Sequence, residues 1–147
     1  LDKVNMKNLE IEKKIKIMFQ IMIAIVSLHL NGFIYRDLKP NNIILNENGS
    51  ISIIDFDRIC KENDDYEFTK DFQHCFIAPE IIEGQKQTKK ADIYSIGKMI
   101  EYIFLDEFIL LKELSDRCTS EESKRPNIFE IIELTFSWVV LFESAKL

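Results

Sequence analysis

The stretch from Glu10 to Leu30 limits this chain more than any other. Its main part, IKIMFQIMIAIVSLHL (Ile15 to Leu30), is apolar around most of a helical circumference. A helix apolar on nearly all sides has to be enclosed, either by the rest of a domain or by lipid. Lys16, Gln20 and His29 interrupt the run, and it falls short of the ~20 apolar residues that a membrane span needs. The expectation is therefore a buried helix over Glu10–Leu30 at the centre of a domain, with His29 packed inside it and Asn31-Gly32 ending it.

The remaining residues have to wrap that helix. A chain of 147 residues is long enough for one domain with a sizeable core. NIIL (Asn42–Leu45) and SISIID (Ser50–Asp55) are short and β-branched, and Glu47-Asn48-Gly49 between them predicts a hairpin. From Phe56 to about Pro79 the chain is polar and irregular, longer than a simple connection needs. Ala91–Leu105, Phe108–Arg117 and Asn127–Val140 read as further helices, with Pro126 at the start of the last. The expected fold is mainly α with a small β-hairpin, an α+β arrangement without repeats or linkers.

Charge and cysteine usage narrow the function classes. A formal net charge of −6 argues against a phosphate-binding surface for nucleic acid. Cys60, Cys75 and Cys118 are odd in number and lack C-x-x-C spacing, so free thiols in a reducing, cytoplasmic setting are expected rather than disulfides or zinc. The first residues are polar and charged, unlike a signal peptide, and no membrane association is expected. The chain opens on Leu1 rather than Met, which suggests a piece of something longer.

Three motifs remain: YRDLKPNN (Tyr35–Asn42), Asp55-Phe56-Asp57 and Ala78-Pro79-Glu80. Asn42 lies five residues after Asp37, Asp55 eighteen after Asp37, and Asp92-x-x-Ser95-x-Gly97 begins twelve after Glu80. The combination resembles the eukaryotic protein kinase family, Ser/Thr type, and covers that family's C-terminal lobe over residues 1–147, with a catalytic loop at 35–42 and an activation segment at 55–80. The resemblance implies ATP and Mg²⁺ as cofactors and a protein hydroxyl as substrate. Asp37 would orient that hydroxyl and accept its proton. Lys39 would neutralise charge on the transferred phosphate and favours Ser/Thr specificity. Asn42 and Asp55 would hold Mg²⁺ through hard oxygen ligands. Arg36 would pair with a phosphate on Thr69, for which Tyr66 is a rival site. Glu80 and Arg125 would form a buried ion pair, and Asp92 would hold the catalytic-loop backbone.

Departures from the family pattern leave alternatives open. Gly32, Gly49, Gly84 and Gly97 are the only glycines and lie far apart, so no G-x-G-x-x-G is present. The upper half of a nucleotide site is expected from a missing N-terminal lobe or from a partner supplying it. Asp57 replaces the glycine of D-F-G and puts a Cβ where backbone freedom is usual, a modest strain because Asp tolerates left-handed conformations better than most residues. Gln73 replaces a threonine, and the stretch from Leu105 to Arg117 leaves little room for a substrate-docking helix. A catalytically silent, pseudokinase-like binding module is one alternative. A small-molecule kinase of the aminoglycoside or choline type is another, disfavoured by Ala78-Pro79-Glu80 with Arg125.

Overall fold

In the computed structural model of the chain, which describes residues 1–62, 64, 75–85, 88–105 and 108–144, the long apolar stretch forms helix α1 (Ile11–Leu30). Its apolar side chains are enclosed: Ile17, Met18, Ile21, Met22 and Ile25 are all buried. The helix stops where Gly32 takes φ +78°, a left-handed conformation that costs glycine little. The Gly32 amide then donates back to the His29 carbonyl at 3.2 Å.

Gln20, a polar interruption of the apolar run, ties α1 to the hairpin. Strands β2 (Ile43–Leu45) and β3 (Ile51–Ile53) pair antiparallel, with Ile43 opposite Ile53 and Leu45 opposite Ile51. Their turn needs Gly49, whose φ is +79°. The Gln20 side-chain nitrogen donates to the Gly49 carbonyl, and its oxygen accepts from the Ile51 amide, both at 3.1 Å. The hairpin is therefore clamped to the central helix at its turn.

A second pairing lies where the sequence read as irregular. Strand β1 (Phe33–Ile34) pairs antiparallel with β4 (Cys60–Lys61). Two residues carry no readable alternation, and the partners are far apart in sequence, so the pairing is tertiary in origin.

Helix α2 (Pro79–Ile82) is a single turn, and α3 (Lys90–Phe104) forms the other wall of the core through Ile93, Ile96, Ile100 and Ile103. Helix α4 (Ile109–Cys118) follows. It lies close on α3 because Gly97 has no side chain: a Cβ there would stand 2.7 Å from Cys118 Cβ and 3.1 Å from the Ser115 carbonyl oxygen. Helix α5 (Ile128–Ser144) packs against α1. Its start differs from the expectation that placed proline first. Asn127 Oδ1 accepts from the amides of Phe129 (2.9 Å) and Glu130 (3.0 Å), and Glu130 Oε2 accepts from the Asn127 amide at 2.6 Å. That reciprocal cap puts Pro126 outside the helix. Among the described residues no helix is long and apolar enough to cross a membrane, and all three cysteines are free.

Candidate active site

The polar stretch after β1 is fixed from beneath by α3. Asp92, in the first turn of α3 where the helix dipole favours a carboxylate, is completely buried. Its Oδ1 accepts from the Arg36 amide at 2.8 Å and its Oδ2 from the Tyr35 amide at 2.9 Å. These two bonds hold Arg36 at φ +72°, a left-handed conformation that costs a residue with a Cβ roughly 1–3 kcal/mol and persists only where its surroundings over-determine it. His29 completes the set, with Nε2 2.8 Å from Asp92 Oδ2. The expectation for His29 was a place in the core, with no partner named.

Above that support the candidate residues converge. Asp37 is buried. Lys39 Nζ donates to both of its carboxylate oxygens, at 2.9 and 2.8 Å. Pro40–Asn42 forms one 3-10 turn, which carries Asn42 back over Asp37. Asn42 Nδ2 then donates to the Asp37 carbonyl at 2.9 Å and to its Oδ2 at 2.8 Å. Both bonds use the amide nitrogen, so the buried Asn42 Oδ1 accepts no hydrogen bond among the described residues. A residue the sequence did not single out, Arg58, brings Nη1 to 4.0 Å from Asp37 Oδ1. No periodicity or motif marks Arg58; only the folded path of the segment after β3 carries it there.

Asp55 arrives by the hairpin. The Ile54 amide donates to the Asn42 carbonyl at 2.9 Å, which ties the end of β3 to the Tyr35–Asn42 loop. The next residue, Asp55, has φ +62° and an exposed side chain that accepts no hydrogen bond among the described residues. The strain expected at Asp57 does not arise: among the described non-glycine residues, positive φ occurs at Arg36, Asp55 and Leu105. Asp57 lies in an ordinary turn, where its Cβ costs nothing special. Tyr35 backs this corner, fully buried, its hydroxyl donating to the Ile54 carbonyl and its ring edge-on to Phe56 at 5.6 Å. Burial, and then the charge of Asp37, push the Tyr35 phenol well above its ordinary range, so it stays a neutral donor.

Other candidates sit apart from this cluster. Arg36 is buried, and its Nη1 donates to the Arg58 carbonyl at 3.3 Å. Thr69, Tyr66 and Gln73 lie outside the described residues. Glu80 and Arg125 form a buried, two-pronged pair: Nη1 bonds Oε1 and Nη2 bonds Oε2 at 2.9 Å. Arg125 also donates from Nε to the Ser120 carbonyl at 2.9 Å and stacks over the Tyr94 ring at 5.1 Å. Beside Asp37, a groove is lined by Lys39, Asn41, Asn42, Cys75 and Phe76.

The donor set suits a small hard cation. The open, buried amide oxygen of Asn42 and the carboxylate of Asp55 are both oxygen ligands of the kind Mg²⁺ prefers. Among the described residues no three His, Cys, Asp or Glu side chains cluster to hold a metal. An ion here would thus rest on two side chains and complete its shell with water or phosphate oxygens, the usual pattern at nucleotide sites.

Comparison with known proteins gives the family. The sequence matches the protein kinase domain over residues 2–144. It is 35% identical over 139 residues to CBL-interacting serine/threonine-protein kinase 20 of Arabidopsis thaliana, an alignment covering 87% of this chain and 31% of that protein. Ribosomal protein S6 kinase alpha-3 of Homo sapiens is 39% identical over 85 residues, 55% of this chain and 11% of the relative. The dual specificity protein kinase zak2 of Dictyostelium discoideum is 38% identical over 82 residues, 48% of this chain and 12% of its own length. The chain thus spans less than a third of each of these relatives. With the match running almost end to end, and the helical, hairpin-bearing fold of the C-terminal lobe beneath it, the chain belongs to the protein kinase domain family.

Proposed function

We propose that this chain is the catalytic half of a Ser/Thr protein kinase, which moves the γ-phosphoryl group of ATP to a protein hydroxyl once the rest of the nucleotide site is in place. The observation that carries the reading is the Asp37–Lys39–Asn42 cluster, to which the Ile54 amide, bonded to the Asn42 carbonyl, ties the residue before Asp55. Phosphoryl transfer asks a protein for positioning and charge neutralisation rather than covalent help. Asp37 orients the acceptor hydroxyl and takes its proton. Lys39, now paired with Asp37, turns to the transferred phosphate as negative charge builds there. Asn42 and Asp55 hold Mg²⁺, which when bound neutralises the phosphate oxygens. In the same reading Arg36 receives a phosphate on Thr69, through charge-assisted hydrogen bonds.

The exposed apolar residues Ile44, Ile54 and Phe56 flank this corner. They are the surface on which the glycine-rich half of the site docks, from the same protein or a partner. A scaffold without catalysis has less support, because it needs none of Asp37, Lys39, Asn42 and Asp55 together.

The test is Asp37→Asn in the full-length protein, assayed for phosphate transfer to a serine peptide. Loss of an acid–base group lowers kcat by about 10²–10⁴-fold, with the thermal unfolding curve unchanged. Turnover at the wild-type rate would remove Asp37 from the mechanism.

A further inference from the structure

Away from the catalytic groups, a cavity of about 290 Å³ opens where the end of α1, the start of α3 and the start of α5 meet. Its wall is mostly apolar: Leu30, Ile93, Ile128 and Phe129. Ile93 and Ile128 are buried, whereas Leu30 and Phe129 are 69% and 56% exposed at the rim. Large apolar side chains left half in water around a concavity are what a small ligand covers. The volume lies near the lower end of the range for ligand sites, about 300–1,000 Å³.

Of the polar side chains in the lining, His29, Glu62, Thr88, Lys89, Lys90 and Asn127, only His29 is buried. His29 lines it and is 94% buried, with 6% of its surface exposed. Its Nε2 is committed to Asp92 Oδ2 at 2.8 Å. Asp92 also accepts two backbone amides, so it is the acceptor in this bond too, and on a neutral imidazole the one ring hydrogen sits on Nε2. The other ring nitrogen, Nδ1, is then an acceptor, and it has no hydrogen-bond partner among the described residues. A buried acceptor left open is unusual enough in a folded protein to require an occupant.

Charges at the rim decide the class of occupant. Lys89 pairs with Glu62 at 3.1 Å. Lys90 is turned away, its Nζ donating to the carbonyls of Arg125 and Pro126. Among the described lining residues no cation is therefore left over for an anionic head group.

We propose that this cavity binds a small neutral molecule with an apolar ring or chain and one hydroxyl or N–H donor, which donates to His29 Nδ1. Because the same imidazole bonds Asp92, and Asp92 bonds the Tyr35 and Arg36 amides, occupancy is felt one residue from Asp37. The proposal concerns binding and does not depend on phosphate transfer.

The experiment is an NMR titration of the ¹⁵N-labelled full chain with 4-ethylphenol, and with 4-ethylanisole as a probe of similar shape that lacks the donor. The expected result is saturable binding of the phenol, with shifts at the His29 ring nitrogens and at the Tyr35 and Arg36 amides. The anisole should bind about tenfold more weakly, the usual worth of one hydrogen bond. Leu30→Asp and Phe129→Ser, both at exposed rim positions, should each abolish saturable binding while leaving the rest of the spectrum in place. Equal affinity for the two probes, shifts centred elsewhere, or no saturation at millimolar phenol would each overturn the proposal, leaving water as the partner of Nδ1.

Discussion

The loop from Tyr35 to Asn42 is held in opposite ways on its two sides. On the fixed side, Asp92 and His29 lie beneath it, buried and paired at 2.8–2.9 Å, and the Glu80–Arg125 pair, apart from the loop, is buried as well. Above it, Asp55 is exposed, and Ile44, Ile54 and Phe56 are 45%, 38% and 50% exposed. The lower side fixes backbone, even in a left-handed conformation at Arg36; the upper side presents ligands and apolar surface without closing over them. Reacting groups need to be held rigidly to be useful. This molecule puts that rigidity into the lower side and leaves the upper side open, the division that the proposed function requires.

The sharpest way to break that contrast is to attack the lower side at its buried ion pair. Arg125→Met leaves the Glu80 carboxylate buried without its cation, a change that costs about 3–5 kcal/mol. Urea unfolding should show the loss, and Glu80→Met added on top should recover much of it. A loss under about 1 kcal/mol for the single change would mean that the pair lies closer to water than its burial implies.

Next in size is the α3–α4 contact. Gly97→Ala brings a Cβ to 2.7 Å from Cys118 Cβ, and overpacking of this kind costs about 1–3 kcal/mol. Alanine gains about 1 kcal/mol over glycine in a helix. The clash should win, with a net loss of up to about 2 kcal/mol by urea unfolding; a stabilised variant would show that α4 can shift freely. The same contact predicts an alkaline weakness. Burial pushes the Cys118 thiol up to about 12, from an ordinary value of 9.0. Below pH 9 the thiol is protonated in both states and its contribution is complete. Above that the unfolded chain ionises first and binds fewer protons, so stability falls as pH rises from about 9 toward 12. Cys118→Ala should flatten that part of the stability–pH curve, and an unchanged slope would place its origin elsewhere.

How much of this was legible in the sequence follows the same division. The helices and the hairpin were readable because each carries its own period, cap or turn. The spacing from Asp37 to Asn42 was readable because one local turn makes it. What could not be read was non-local: the β1–β4 pairing, the approach of Arg58 to Asp37, and the bond from His29 to Asp92 across 63 residues. Two of the three polar interruptions in the apolar run, Gln20 and His29, proved to be the joints of α1 to the hairpin and to the catalytic loop. A polar residue in an otherwise enclosed helix signals that a partner exists, since burying it unpaired is costly. It does not say which partner, because that depends on the packing of helices distant in sequence. Asp57 misled for a related reason. A motif position suggests a backbone conformation, but the folded loop puts the left-handed residue at Asp55 instead.

The smallest expected effect tests the open side directly. Ile44 stands on β2 opposite Ser52, with nearly half of its side chain in water. Ile44→Thr keeps the β-branch that suits a strand and removes mostly exposed apolar surface. Stability should therefore change by no more than about 0.5 kcal/mol, the usual limit for surface substitutions. If Ile44 serves instead as a wall for nucleotide, the same change should raise KM for ATP in the full-length protein while leaving the unfolding curve in place. A fold weakened by more than about 2 kcal/mol, a loss that belongs to core residues, would show that Ile44 is as firmly built in as Asp92, and the distinction between a fixed lower side and an open upper one would fail at the point where it matters for function.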